Sequence, residues 1–186
     1  MSVRPDIVDV WVVRDRPDDA AAQAADRGPE GAADQAAHRA HEPEVLLLHR
    51  ARGRMLAGMW QAVSGSIEPD ERVTAAALRE LAEETGFAGQ AVRVLYDLDL
   101  ANAFHWPSAD AVLLSAVFAV RVGPEAEPVL SDEHDAFRWL PISEALRTVI
   151  WPGHRTALER IRDDLGDPDR AAWFELTPDG LERRIR

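Results

Sequence analysis

The chain is 186 residues long, 46% hydrophobic and 29% charged, which is the apolar mass of one ordinary domain with a real core. It has no cysteine, so disulfide frameworks, thiolate metal sites, cysteine nucleophiles and iron–sulfur clusters are excluded. The 33 acidic and 21 basic residues leave a formal charge of −12, which argues against duplex nucleic acid and anionic membranes as partners. Every basic residue other than histidine is arginine, which removes Schiff-base and P-loop lysines from consideration.

Residues 7–14 (IVDVWVVR) are β-branched and predict a strand. The run carries Asp9 and is far too short to span a bilayer, and it lacks the features of a signal peptide, so a cytoplasmic location is the expectation. Residues 15–43 are rich in Ala, Asp, Gly and Pro and nearly empty of large apolar side chains, the composition of a flexible insertion between strands. Residues 45–50 (VLLLHR) predict a buried strand and 59–64 (MWQAVS) a short one that ends at Gly65. A helix is predicted over 72–85, closed by Gly86. Strands are predicted over 91–101 and 111–122, joined by a polar segment at 102–110, and over 136–140, stopped by Pro141. A helical turn at 142–146 and a helix over 153–165 follow, the latter with Leu158, Ile161 and Leu165 at helical spacing. Strands on both sides of one central helix, with a second helix near the end, predict a mixed sheet flanked by helices. The domain is expected over residues 1–167, with 168–186 as a tail.

The segment 65–87, GSIEPDERVTAAALRELAEETGF, carries the chemistry. At about 100° per residue, Glu80, Glu83 and Glu84 fall within roughly 100° of one another, with Arg79 at the edge of that face. Leu78, Leu81 and Ala82, with Ala75 one turn back, lie opposite and are expected to face the core. Like charges at these spacings repel. Either the face is simply solvated, with Arg79 relieving part of the repulsion, or it holds a divalent cation such as Mg²⁺ or Mn²⁺, hard ions that favour carboxylate oxygen. Gly65 precedes the loop into this helix and permits a close backbone approach.

Gly65, Glu71, Arg79-Glu80-Leu81, Glu83-Glu84 and Gly86-Phe87 stand at the spacing of the Nudix box, GX5EX7REUXEEXGU with U apolar, and match it at every specified position. The chain therefore resembles the Nudix hydrolases. The resemblance implies an α/β fold, the Nudix α/β/α sandwich around a mixed sheet, and hydrolysis of a nucleoside diphosphate linked to another moiety with Mg²⁺ or Mn²⁺ as cofactor. It implies Glu80 and Glu84 as metal ligands, with Glu83 as a third ligand or assisting through water, and the Gly65 carbonyl as a backbone ligand. Arg79 resembles the arginine that orients the glutamates, and Glu71 and Gly86 resemble structural positions of the box. Catalytic roles fall to Glu83, Glu80 and Arg79, the family's general base differing from member to member.

The flanks MWQAVSGSIE and EHDAFRWLP resemble the dihydroneopterin triphosphate pyrophosphatase branch, which also acts on dATP-type nucleotides. On that match Glu133 resembles a further metal ligand, and Arg50 and Ser64 resemble substrate-binding residues. The segment LDLANAFHWPSADAV departs from the branch, and its Phe104, His105 and Trp106 are either a base-stacking wall or a loop folded onto the sheet. His134 reads as structural, and Trp139 and Trp151 as core anchors. Asp132 and Asp135 stand close enough in sequence to replace Glu133. The function expected is pyrophosphate release from a small-molecule nucleotide-like substrate, a nucleoside triphosphate or dihydroneopterin triphosphate-like compound. Two other readings stay open, a non-catalytic Nudix-fold nucleotide sensor and an RNA 5′-end pyrophosphohydrolase. A homodimer is open as well.

Overall fold

A computed structural model of the chain describes residues 3–16 and 42–183. Most of the insertion expected at 15–43 lies outside the described residues.

Strand β1 (Ile7–Arg14) is buried along almost its whole length, as its β-branched composition demands, and it organises the sheet. It pairs antiparallel with β2 (Glu44–Arg50) at its end, and antiparallel with β4 (Val63–Ser66) from Ile7↔Ser66 to Val10↔Val63. It runs parallel to β6 (Ala111–Arg121) from Ile7↔Ser115 to Val13↔Arg121. With β3 (Trp60–Gln61), β5 (Val94–Trp106) and β7 (His134–Pro141), the order is β3-β2-β1-β6-β5, β4 pairing β1 and β7 pairing β2. The sheet is mixed, as expected.

Alternation along β1 divides the core in two. Val8, Val10 and Val12 join Leu46 and Leu48 against Ala76, Ala77 and Leu81 of helix α1 (Val73–Thr85). Trp11 and Val13 join Val45 and Leu47 on the other face, against Ala145 of α2 (Ile142–Thr148) and Ala157 and Leu158 of α3 (Pro152–Arg160). Helices thus cover both faces, the α/β/α sandwich. Helix α1 ends where Gly86 takes φ 73° and its N–H donates to the Ala82 carbonyl. That left-handed conformation is cheap only for glycine.

The structure corrects several expectations. The apolar face of α1 is Ala76, Ala77 and Leu81, with Leu78 half-buried against them as expected; Ala75 is exposed. Residues 102–106 are not a loop: β5 runs through them and pairs with β6 down to Trp106↔Ala111. Asn102, Phe104 and Trp106 are half-buried while Ala101, Ala103 and His105 are exposed, the two-residue period of a strand. Trp151 is 46% exposed and anchors no core. Helix α3 starts with Pro152 in its first turn and widens into π geometry over Ile161–Leu165. Among the described residues beyond 167, the stretch 174–176 lies along β5. After α4 (Pro168–Ala171), Leu176 N donates to Leu95 O and Asp97 N to Phe174 O, and Ala171, Ala172 and Leu176 are buried.

The division of α1 into faces is testable. Leu81→Ala should cost about 2–5 kcal/mol, whereas Ala75→Ser should stay within about 1 kcal/mol, both read from denaturant midpoints. Equal effects would mean that α1 does not present Leu81 to the sheet.

Candidate active site

Arg79 sits in the second turn of α1 and its guanidinium gathers the acidic groups. Its Nε and Nη2 donate to the two Glu71 oxygens at 2.9 Å each, a bidentate pair. Nη1 donates to Glu80 at 2.8 Å and to Glu83 at 3.2 Å, and Nη2 reaches the Ser66 carbonyl at 2.9 Å. One cation therefore ties the loop after β4 to the helix. Glu71 also accepts from the Glu68 amide at 3.0 Å. The Arg79 guanidinium and then that amide hold the Glu71 carboxyl down to about 2. Arg79 in turn keeps its proton more firmly than an ordinary arginine, chiefly through Glu71.

Glu80 leans across to β4. A Cβ built on Gly65 would lie 1.9 Å from the Glu80 carboxyl carbon, so only glycine leaves room for that carboxylate. Burial pushes the Glu80 carboxyl up, against the pull of Arg79. Glu84 is the deepest of the three, 3% exposed. Its carboxyl is pushed up to about 8, first by burial and then by the charges of Glu80 and Glu133, with Arg50 and the Ser64 amide working the other way. Glu83 lies outside this cluster, its side chain 59% exposed.

Glu133 arrives from the loop before β7. It is close enough to raise both Glu80 and Glu84, and its Oε2 accepts from Arg50 Nη1 at 2.5 Å. Arg50, at the end of β2, is thereby placed beside the carboxylates. Ser64 arrives differently. Directly paired with Asp9, it alternates with Gly65, so its hydroxyl leaves on the sheet face opposite Glu80, and its amide is what it offers Glu84. Asp132 pairs with Arg54 and Asp135 with His49. His134, which sequence reasoning set aside as structural, is buried with its Nε2 3.9 Å from Glu84 Oε2. Burial holds its imidazole neutral down to about 4. Its adjacency to Glu133 in the sequence was the only signal for it.

Among the described residues no three carboxylate or imidazole groups converge as a ready-made metal cluster, and Glu80, Glu83 and Glu133 are paired with Arg79 or Arg50. The chemistry of the donor set nonetheless fits a hard divalent cation. Glu84 Oε2 is buried without any hydrogen-bond partner, and its neighbours are two further carboxylates that repel it. A buried orphan acceptor costs about 1–3 kcal/mol, and a cation would remove both that cost and the repulsion.

Comparison with known proteins follows the same lines. The NUDIX domain family model matches residues 32–161. A Myxococcus xanthus protein named octanoyltransferase is 39% identical over 125 residues, covering 66% of this chain and 33% of that protein. The NAD-capped RNA hydrolase ndx-9 of Caenorhabditis elegans is 32% identical over 124 residues, covering 65% of this chain and 32% of that one. The chain thus spans about a third of the length of these curated relatives. The E. coli dihydroneopterin triphosphate pyrophosphohydrolase structure superposes with a TM-score of 0.58 at 23% identity, over 83% of this chain and 94% of that one.

The protonation states predict a pH signature in chelator. Between pH 4.5 and about 8 the unfolded chain gives up the Glu84 proton while the folded chain keeps it, so this contribution to stability falls as pH rises and levels off above about 8. His134 has the opposite sign, its contribution being lost as pH falls from 6.5 towards about 4. Glu84→Gln should therefore remove a loss of about 4 kcal/mol at pH 8, seen in denaturant melts from pH 5 to 9. Parallel pH curves for the two proteins would contradict this placement of Glu84.

Proposed function

The chain belongs to the NUDIX family, and from that membership and the site's geometry we propose that it is a metal-dependent pyrophosphohydrolase. Its substrate on this reading is a small nucleotide-like molecule, a nucleoside triphosphate or a dihydroneopterin triphosphate-like compound, from which it releases pyrophosphate. The single observation that carries the reading is the buried Glu84 oxygen without a partner beside Glu80 and Glu133.

Glu80, Glu84 and Glu133 would hold Mg²⁺ or Mn²⁺, with Glu83 at the rim and the Gly65 carbonyl as a further oxygen. A bound cation supplies screening of the polyphosphate charge and stabilises charge that develops on phosphoryl oxygens. Arg79 keeps Glu80 and Glu83 oriented while Glu71 anchors Arg79 from behind. Glu83, the exposed carboxylate, is open to a water molecule and takes its proton as the water attacks phosphorus. Arg50 is positioned to turn from Glu133 to a substrate phosphate.

The sensor alternative is disfavoured because every box carboxylate is present. A second reading, hydrolysis of a dinucleotide cap on RNA, is favoured by the C. elegans relative and disfavoured by the charge of −12.

A hydrolysis screen decides the matter. The panel holds dNTPs, NTPs, dihydroneopterin triphosphate, ADP-ribose, NADH and NAD-capped RNA, each with Mg²⁺ and with Mn²⁺. Metal-dependent turnover of a triphosphate with pyrophosphate release is expected, with Glu84→Gln and Gly65→Ala each losing at least about 100-fold in kcat/KM. Preference for the capped RNA would select the second reading. Metal-dependent nucleotide binding without turnover would select the sensor.

A further inference from the structure

The loop between β2 and β3 carries Arg52 and Arg54 and is held in shape by its own backbone. Arg50 N donates to Met59 O, Gly58 N to Arg50 O, Arg54 N to Ala51 O and Ala57 N to Arg54 O. It is also fastened to the loop that brings Glu133. Ala51 N donates to the Glu133 carbonyl at 2.9 Å. Beside that bond run three side-chain contacts between the same two segments, a His49 Nδ1–Asp135 hydrogen bond at 2.5 Å and the ion pairs Arg50–Glu133 at 2.5 Å and Arg54–Asp132 at 2.7 Å.

The pairs differ in their setting. The Arg50–Glu133 pair borders the carboxylates, since Glu84 is influenced by both partners and Glu80 by Glu133. The Arg54–Asp132 pair stands beside it and is open to water, the Asp132 side chain being 86% exposed and that of Arg54 40%. An ion pair in that setting contributes little to stability. It is therefore exchangeable for a stronger anion. A phosphate offers more charge than a carboxylate and accepts two parallel N–H bonds from a guanidinium. On a chain of net charge −12, such a cation next to the acidic centre gives a polyanion its local foothold.

We propose that Arg54 exchanges Asp132 for a terminal phosphate of the substrate and so selects compounds that end in a polyphosphate over those whose two phosphates are both capped. The inference rests on the hydrolase reading for its consequence in catalysis. Arg54 follows Arg50 by four residues and its partner Asp132 adjoins Glu133 in the chain, which makes the two guanidinium groups neighbours; on this proposal a phosphate chain bound at Arg50 reaches Arg54 by continuing past the diphosphate. A nucleoside diphosphate sugar has a sugar there, and Arg54 gains nothing from it. Asp132 competes with the phosphate and weakens its binding.

The test uses Arg54→Ala and Asp132→Asn in the full chain, both checked by thermal melts. Affinity for inorganic tripolyphosphate is measured by calorimetry with Mg²⁺ present, and KM and kcat are measured for dATP and for ADP-ribose. Arg54→Ala should weaken tripolyphosphate binding about tenfold, and raise the KM for dATP about tenfold while that for ADP-ribose moves less than about twofold. Asp132→Asn should tighten tripolyphosphate binding. Unchanged tripolyphosphate affinity in Arg54→Ala, or equal KM increases for both nucleotides, would overturn the proposal. If the wild type turns over neither nucleotide, the hydrolase reading fails on these substrates, and the tripolyphosphate affinities still decide the role of Arg54.

Discussion

Helix α1 stacks carboxylates at positions 80, 83 and 84 and receives Glu71 from the loop before it, an arrangement that would push itself apart without the Arg79 guanidinium among them. Five hydrogen bonds leave that one planar group, one of them to the backbone of Ser66. Each donor has a fixed direction, so neutralising the charge also fixes where the carboxylates point. A lysine would supply the charge as a point, with three rotatable donors, and leave the directions free. The loop after β4, the start of α1 and the approach of Glu80 to Gly65 all follow from this contact.

The three helix carboxylates are chemically the same group in three solvents. Glu83 meets water, Glu80 is half-buried over a glycine, and Glu84 is enclosed beside His134. Burial and mutual repulsion raise Glu84 while hydrogen bonds from Arg79 lower Glu71, so neighbouring acids come to differ widely in how readily they hold a proton. A fold selected for stability alone would not leave a carboxyl oxygen buried without a donor. The strain is concentrated where a cation would relieve it, and the apolar packing of α1 against β1 and β2 bears the cost.

Two further arginines stand on the side of this centre from which Glu133 arrives. Arg50 ends β2 and Arg54 lies in the loop after it, while their partners Glu133 and Asp132 come from the segment before β7. The pairing of β2 with β7, from Glu44↔Pro141 to Arg50↔His134, brings the two loops to the same end of the sheet. The irregularity between His49 and Arg50 shifts the register where the charged residues begin.

Much of this was written in the local sequence. The box spacing identified α1, its glycine stop and the residues that meet on it, because a helix of 3.6 residues per turn puts positions 79, 80, 83 and 84 together wherever the helix lies. The central strands were legible from their β-branched runs for the same reason: the period is local. What the sequence could not rank was depth. Glu83 and Glu84 are adjacent and identical in type, and only the packing of α1 on the sheet decides that one is exposed and the other enclosed. The strand nature of residues 102–106 depended on pairing with β6, and the closure of the β5 edge by residues 174–176 on contacts across nearly eighty positions of chain, so neither had a local signature. Tertiary structure likewise joined Arg54 to Asp132 and set His134 against Glu84, because electrostatic partners are chosen by distance in space and the sequence records only distance along the chain.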